Sequence, residues 1–210
     1  MTDEPLVAHS LAEAYLYLMA TPCPSCGRGP LRGADSHSVP ARDTESTASP
    51  SRRWRIKVAC GACRSETTLV FQLHEPAEAA PDPEAGATAV VNPTDEPSRI
   101  VDVGQWIVLF RMITDAASKE SDKIEARHLG IEAAQCLEEA LKFYDEVDND
   151  LPPPEAFFTD ASRERFRKVP QQFSKRRLID LRAKLPCESA MRASLSARRK
   201  KHWWSRKREG

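Results

Sequence analysis

The sequence predicts a mainly α-helical protein with a small β element near its N-terminus, and three observations predict it. Four of the six cysteines form two C-x-x-C pairs, Cys23 with Cys26 and Cys60 with Cys63. Directly before the second pair, Trp54, Ile56 and Val58 alternate with Arg53, Arg55 and Lys57, the period-two pattern of a half-buried strand. From Asp102 to Asp148, apolar residues instead recur three and four apart, the pattern of helices with one buried side.

Taken in order, residues 10–20 form the first helix. Ser10 and Glu13 have the spacing of a capping box, Leu11, Tyr15 and Leu18 form an apolar stripe, and Pro22 ends the helix. The cysteine pairs follow. Each C-x-x-C bends the backbone into a knuckle that aims two thiolates at one point, and two knuckles complete a closed four-sulfur shell. The residue after such a knuckle must accept positive φ, which Gly27 does without steric cost. Arg64 stands in the equivalent place after the second pair, so that knuckle is expected to be built differently. Between the pairs lie 33 residues, 27–59, of which 35–51 are polar apart from Val39 and read as a flexible insertion. Residues 67–74 place Leu69, Phe71 and Leu73 on one side, a hairpin partner for the strand that ends at Cys60.

This pattern resembles the zinc-ribbon superfamily over residues 22–74. The resemblance implies a small antiparallel ribbon holding one structural zinc ion through Cys23, Cys26, Cys60 and Cys63. A core this small does not offset the entropy of ordering, whereas a structural zinc contributes on the order of 10 kcal/mol or more to folding. Iron, as in a rubredoxin-like electron carrier, is the competing occupant, although the second pair lacks the Pro and Gly expected in both knuckles of such a carrier. No secretory signal is apparent, and thiolates holding a metal fit a reducing cytoplasmic location better than disulfides do. Cys136 falls on an apolar helix face and reads as a small buried hydrophobe; Cys187 has no assigned role.

Residues 75–97 are rich in Pro, Ala and acids and read as a disordered linker. They separate an N-terminal helix (1–21) and ribbon (22–74) from a helical domain (98–186). Asp102 and Gln105 mark the cap of a helix to about 117 whose face carries Trp106, Phe110, Ile113 and Ala117. A longer helix over 118–148 carries two apolar rows, one of which runs Ala126, Leu129, Ala133, Cys136, Ala140, Phe143, Val147, and the two helices should pair as a hairpin. After the break at 149–155, Phe157 and Phe158 fold back, and shorter helices span about 161–168 and 174–185. A basic tail, 187–210, ends the chain.

The net charge of zero hides a strong polarity: residues 160–210 carry 17 Lys and Arg against 5 Asp and Glu, so residues 1–159 carry 14 against 26. In the tail, Trp203 and Trp204 lie between Arg198, Arg199, Lys200 and Lys201 on one side and Arg206, Lys207 and Arg208 on the other. Cations that neutralise phosphates beside indoles that stack on bases suit single-stranded nucleic acid. The row Arg53, Arg55, Lys57 offers a second phosphate contact, and also serves simply to keep an exposed strand soluble. Catalysis finds little support. The five histidines are scattered, no Gly-rich phosphate loop exists, and an all-cysteine shell leaves no open position for water. The sequence therefore reads as a non-catalytic zinc protein that contacts nucleic acid, with a protein-binding adaptor built on the helical domain as the alternative. No apolar run is long enough to span a membrane.

Overall fold

Strand alternation fixes which face of the β element is covered, and the rest of the chain assembles on that face. The computed structural model describes residues 4–33, 41–42, 52–73, 90–144 and 149–187. Its strands are β1 (Leu6–Ala8), β2 (Leu31–Gly33), β3 (Ala41–Arg42), β4 (Arg52–Cys60) and β5 (Glu66–Leu73). The helices are α1 (Leu11–Ala20), α2 (Val103–Lys119), α3 (Lys123–Leu141), α4 (Asp160–Lys168) and α5 (Lys175–Arg182), with short 3-10 turns at Pro154–Ala156 and Pro170–Phe173.

β4 and β5 form the expected hairpin, in which Ile56 faces Leu69 and Trp54 faces Phe71. The sheet is larger than a ribbon hairpin, and the fold is mixed α and β instead of mainly α. β1 adds to β5 in parallel, while β2 and β3 both pair antiparallel with β4, giving the order β1-β5-β4-β2 with β3 also on β4. Nothing about three residues such as Leu6–Ala8 marks a strand in isolation; pairing along Phe71 to Leu73 makes them one. Ala41–Arg42 lie inside the stretch expected to be flexible, yet they pair with Trp54 and Arg55.

α1 is caged between the inner face of this sheet and the helices. The Tyr17 ring meets Phe71 edge-on with centroids 5.9 Å apart, and Ala14, Leu16 and Leu18 are buried in the same apolar cluster as Ile56, Val58, Trp106 and Ile107. Packing from more than one side corrects the expected stripe. Tyr15 stays 38% exposed, while Glu13 is 0% exposed. The Ser10 hydroxyl accepts from the Glu13 amide as the cap predicts, and the Glu13 carboxylate folds back to accept from the His9 amide.

Residues 90–97, the end of the stretch read as a linker, lie against α1 and α3. Val91 and Asn92 are buried, and the Ser10 hydroxyl donates to the Val91 carbonyl at 2.6 Å. Asn92 Nδ2 donates to Glu139 Oε2 at 3.0 Å, and Lys142 Nζ reaches both Glu139 Oε1 (2.7 Å) and the Thr94 carbonyl (2.6 Å). Two buried carboxylates, Glu13 and Glu139, thus share one neighbourhood with the single ammonium of Lys142. Burial pushes both carboxyls above their usual range, against the pull of Lys142.

α2 and α3 form the expected hairpin, but the long helix does not begin at 118. The C-cap at Glu120 and the N-cap at Asp122 break the chain there, and α3 ends at Leu141. Trp106 is fully buried, as are Cys136 and Leu137 of α3. Burial pushes the Cys136 thiol far up, which suits a packing role. Val147 lies outside the described residues. Phe157, Phe166 and Phe173 pack ring to ring with centroids 4.8–5.4 Å apart and seat α4 and α5; Phe158 meets Phe143 at 6.0 Å but stays 40% exposed.

One carboxylate joins these parts. Asp102, 0% exposed, is the N-cap of α2 and completes the capping box with Gln105. Its Oδ1 accepts from the Gln105 amide (2.8 Å) and the Ser162 hydroxyl (2.7 Å), and its Oδ2 accepts from the amides of Phe158 and Thr159 and the Thr159 hydroxyl, each at 3.0 Å. The N-terminal ends of α2 and α4 therefore converge on one negative charge, which both helix dipoles favour. Asp102→Ala should cost about 3 kcal/mol or more, because it removes the cap and strands several donors at once. Asp102→Asn should cost less, since one oxygen still accepts; urea denaturation of the three proteins measures the order.

Glu13 generates a pH signature. Its folded-state pKa lies above its ordinary value of 4.5, so the fold prefers the neutral acid. That contribution is complete below pH 4.5 and is lost as pH climbs through the folded value. Glu13→Gln keeps a neutral side chain of the same shape, so its stability relative to wild type should increase between pH 4, below the ordinary value, and pH 8. Denaturant midpoints at both pH values test this, and an unchanged difference would refute it.

Candidate metal centre

The four thiols that the spacing singles out meet at the end of the sheet where β2 pairs with β4. Cys23 and Cys26 lie between α1 and β2, Cys60 is the last residue of β4, and Cys63 lies in the turn to β5. The register that pairs Leu31 with Cys60 brings the knuckles together, helped by the Gly61 amide donating to the Pro30 carbonyl at 3.0 Å.

The two knuckles are built alike. The Gly27 amide donates to the Cys23 carbonyl at 2.8 Å, and the Arg64 amide to the Cys60 carbonyl at 2.9 Å. One residue further on, the Arg28 carbonyl accepts from the Cys23 amide, and the Ser65 carbonyl from the Cys60 amide. Gly27 has φ +67° and Arg64 has φ +61°. The expectation of a different second knuckle is therefore corrected. The turn dictates left-handed backbone at this position whatever the side chain, and Arg64 adopts it at a steric cost that Gly27 avoids.

All four sulfurs lie within 4.8 Å of one another. Cys23 Sγ is 3.8 Å from Cys63 Sγ, and Cys26 Sγ is 3.7 Å from Cys60 Sγ. These separations are far too long for disulfides, whose sulfurs sit about 2 Å apart, and all six cysteines in the chain are free of such bridges. A tetrahedron with metal–sulfur bonds of about 2.3 Å has edges of about 3.8 Å. The donor set thus fits one metal ion held by four thiolates.

Polar groups surround the sulfurs as they would surround negative charge. The Ser25 amide points at Cys23 Sγ (3.4 Å), and the amides of Ala62 and Cys63 point at Cys60 Sγ (3.3 and 3.5 Å). The Ser65 hydroxyl lies 3.4 Å from Cys23 Sγ and 3.1 Å from Cys63 Sγ. That hydroxyl is the main reason the Cys23 thiol is lowered to about 6 and the Cys63 thiol is lowered as well. Cys26 is pushed up to about 11: a backbone hydrogen bond with Arg28 pulls the other way, but burial and the neighbouring thiols prevail. Ser65 is a site residue that the cysteine spacing does not flag, because a serine after a knuckle looks like any turn serine.

Arg53, Arg55 and Lys57 are exposed on the outer face of β4. Because Arg32 pairs with Ala59, it joins the same face, and exposed Glu66 also pairs with Ala59 at that end of the row. The row was legible in the sequence; Arg32 was not, since only the β2–β4 register adds it. Arg198, Arg199, Lys200, Lys201, Trp203, Trp204, Arg206, Lys207 and Arg208 lie outside the described residues. Beside the first knuckle, Met19, Thr21, Pro22, Arg28, Pro30 and Met112 line an open groove of about 310 Å³. Among the described residues, no helix is long and apolar enough to cross a membrane.

No known protein family, curated protein or solved structure matches the chain.

Because Gly27 and Arg64 occupy equivalent places, Arg64→Gly should relieve the left-handed strain and stabilise the protein by about 1 kcal/mol. Thermal denaturation at fixed metal content measures it, and destabilisation would show that the Arg64 side chain has a role beyond the turn.

Proposed function

We propose that this chain is a non-catalytic protein with one structural zinc ion, and that its exposed basic surface contacts nucleic acid. The observation that carries the metal reading is the four-thiol cluster, with edges of 3.7 and 3.8 Å between knuckles of the same construction. Four thiolates fill a tetrahedral shell, which suits a metal that holds structure and leaves no position for a reacting water. Zinc is favoured over iron because only the first knuckle has the C-P-x-C-G sequence of a rubredoxin-like carrier. Cys23, Cys26, Cys60 and Cys63 hold the ion in this reading.

The nucleic-acid part rests on charge. The β4 row of Arg53, Arg55 and Lys57 projects away from the core, with Arg32 beside it. The tail adds seven cations around Trp203 and Trp204. Cations contribute sequence-independent phosphate attraction, and the indoles contribute stacking on unpaired bases. A second reading, a protein-binding adaptor, is favoured by the groove in which Met19 and Met112 remain 37% and 41% exposed, since flexible thioethers adapt to varied apolar partners.

The test begins with metal content and then moves to binding. Purified protein should hold one zinc per chain and be colourless, and Cys→Ser at any of the four positions should lose the ion; a red, iron-containing preparation would favour the electron-carrier alternative. Binding of the zinc-loaded protein to labelled single-stranded DNA, duplex DNA and RNA is then measured across a salt series, beside a version truncated after Leu195. A steep salt slope that truncation flattens is the expected result. Absence of binding at low salt to all three would end the nucleic-acid reading.

A further inference from the structure

The four sulfurs of the cluster are not equally shielded. Cys23 and Cys60 are buried and Cys26 is half-buried, but Cys63, in the turn between β4 and β5, is exposed. In a closed four-sulfur shell every ligand is a thiolate, the form of cysteine that attacks an oxidant, so access decides which sulfur reacts. Cys63 is the sulfur that solvent reaches.

Its neighbours are not equivalent either. Cys63 Sγ lies 3.8 Å from Cys23 Sγ, and the Ser65 hydroxyl sits beside both, at 3.1 Å and 3.4 Å. Cys60 Sγ lies 3.7 Å from Cys26 Sγ instead, and it accepts from two amides, those of Ala62 and Cys63, which hold it inside its own turn. The close pairs therefore run between the knuckles. Because the sulfurs of a disulfide sit about 2 Å apart, joining Cys63 to Cys23 takes a movement of only about 2 Å. The other two cysteines stand outside this cluster: Cys136 is fully buried on α3, and half-buried Cys187 follows α5.

We propose that Cys63 is a site of oxidative modification by hydroperoxides, with Cys23 as the sulfur that resolves it. The Cys63 thiolate attacks one oxygen of hydrogen peroxide and the O–O bond breaks. Cys63 becomes a sulfenic acid, and the second oxygen leaves as hydroxide, which takes a proton from solvent to give water. The Cys23 thiolate then attacks the Cys63 sulfur, the S–O bond breaks, and the departing hydroxide is protonated to a second water as the disulfide forms. Two thiolates give up two electrons, and one peroxide is reduced to two waters. With two of its four sulfurs bonded to each other, the shell no longer holds an ion; what is released rests on the structural-zinc reading above. The bridge joins residues 40 positions apart, whereas one within the second knuckle would join residues three apart. It therefore keeps the two knuckles together, and β2 at the end of β4, after the ion has gone.

The test uses the full-length, zinc-loaded protein and one equivalent of hydrogen peroxide, with a chromogenic chelator to report free zinc. Metal content is measured before the oxidant is added. After oxidation the remaining thiols are alkylated, and tandem mass spectrometry of the digested protein locates each bridge by residue. Loss of about two thiols and about one zinc per chain on the same time course is expected, with Cys23–Cys63 as the dominant bridge. Dithiothreitol and added zinc should restore the metal-bound protein. A dominant bridge within either knuckle, a dominant Cys26–Cys60 bridge, one that contains Cys136 or Cys187, or thiols that all stay reduced overturns the proposal. A protein that takes up no zinc at the outset ends the structural-zinc reading instead, and the same peptide map of the oxidised protein then still decides whether Cys63 pairs with Cys23.

Discussion

The thiol cluster brings together two segments that lie far apart in the chain. Cys26 and Cys60 are separated by 33 residues, and holding the ends of such a segment together costs entropy before any apolar contact compensates. A metal ion held by the four thiolates would supply that compensation at one point. With the knuckles joined, β2 lies along the end of β4 and the sheet acquires its inner face. α1 then has a surface to cover, and α2 has a surface beyond α1. The order of dependence runs from sulfur to sheet to helix, which is why a modest β element can organise a chain in which most described residues lie elsewhere.

Asp102 plays the corresponding role for the helices. A buried carboxylate is costly unless its lone pairs are occupied, and here five donors from two helix starts occupy them. The result is mutual: α4 starts where it does because Asp102 receives its first amides, and Asp102 remains tolerable in the core because α4 is there. Glu13 and Glu139 solve the same problem less completely. They share Lys142, and burial raises the proton affinity of both.

Local patterns in the sequence were informative where a residue's fate depends on its immediate neighbours. The cysteine spacing picked out the four thiols that cluster, alternation in 53–59 marked both faces of β4, and the caps at Ser10 and Asp102 marked where two helices begin. Features decided by distant partners were not legible. Tyr15 has helical spacing from Leu11 and Leu18, but α1 is covered on other sides, so Tyr15 points outward and Glu13 inward. β1 exists only because the β5 edge accepts it. Arg64 looks unsuited to a knuckle until the surrounding hydrogen bonds force its backbone.

Gly130 sets a boundary at the other end of the molecule. A Cβ there would lie 2.7 Å from Pro186 Cγ, so the bare backbone of α3 is what lets the end of the α5 segment lie against it. Pro186, a few residues past α5, thereby comes to lie directly against α3. The packing of the end of this segment against α3 is thus conditional on the absence of a single methyl group at position 130.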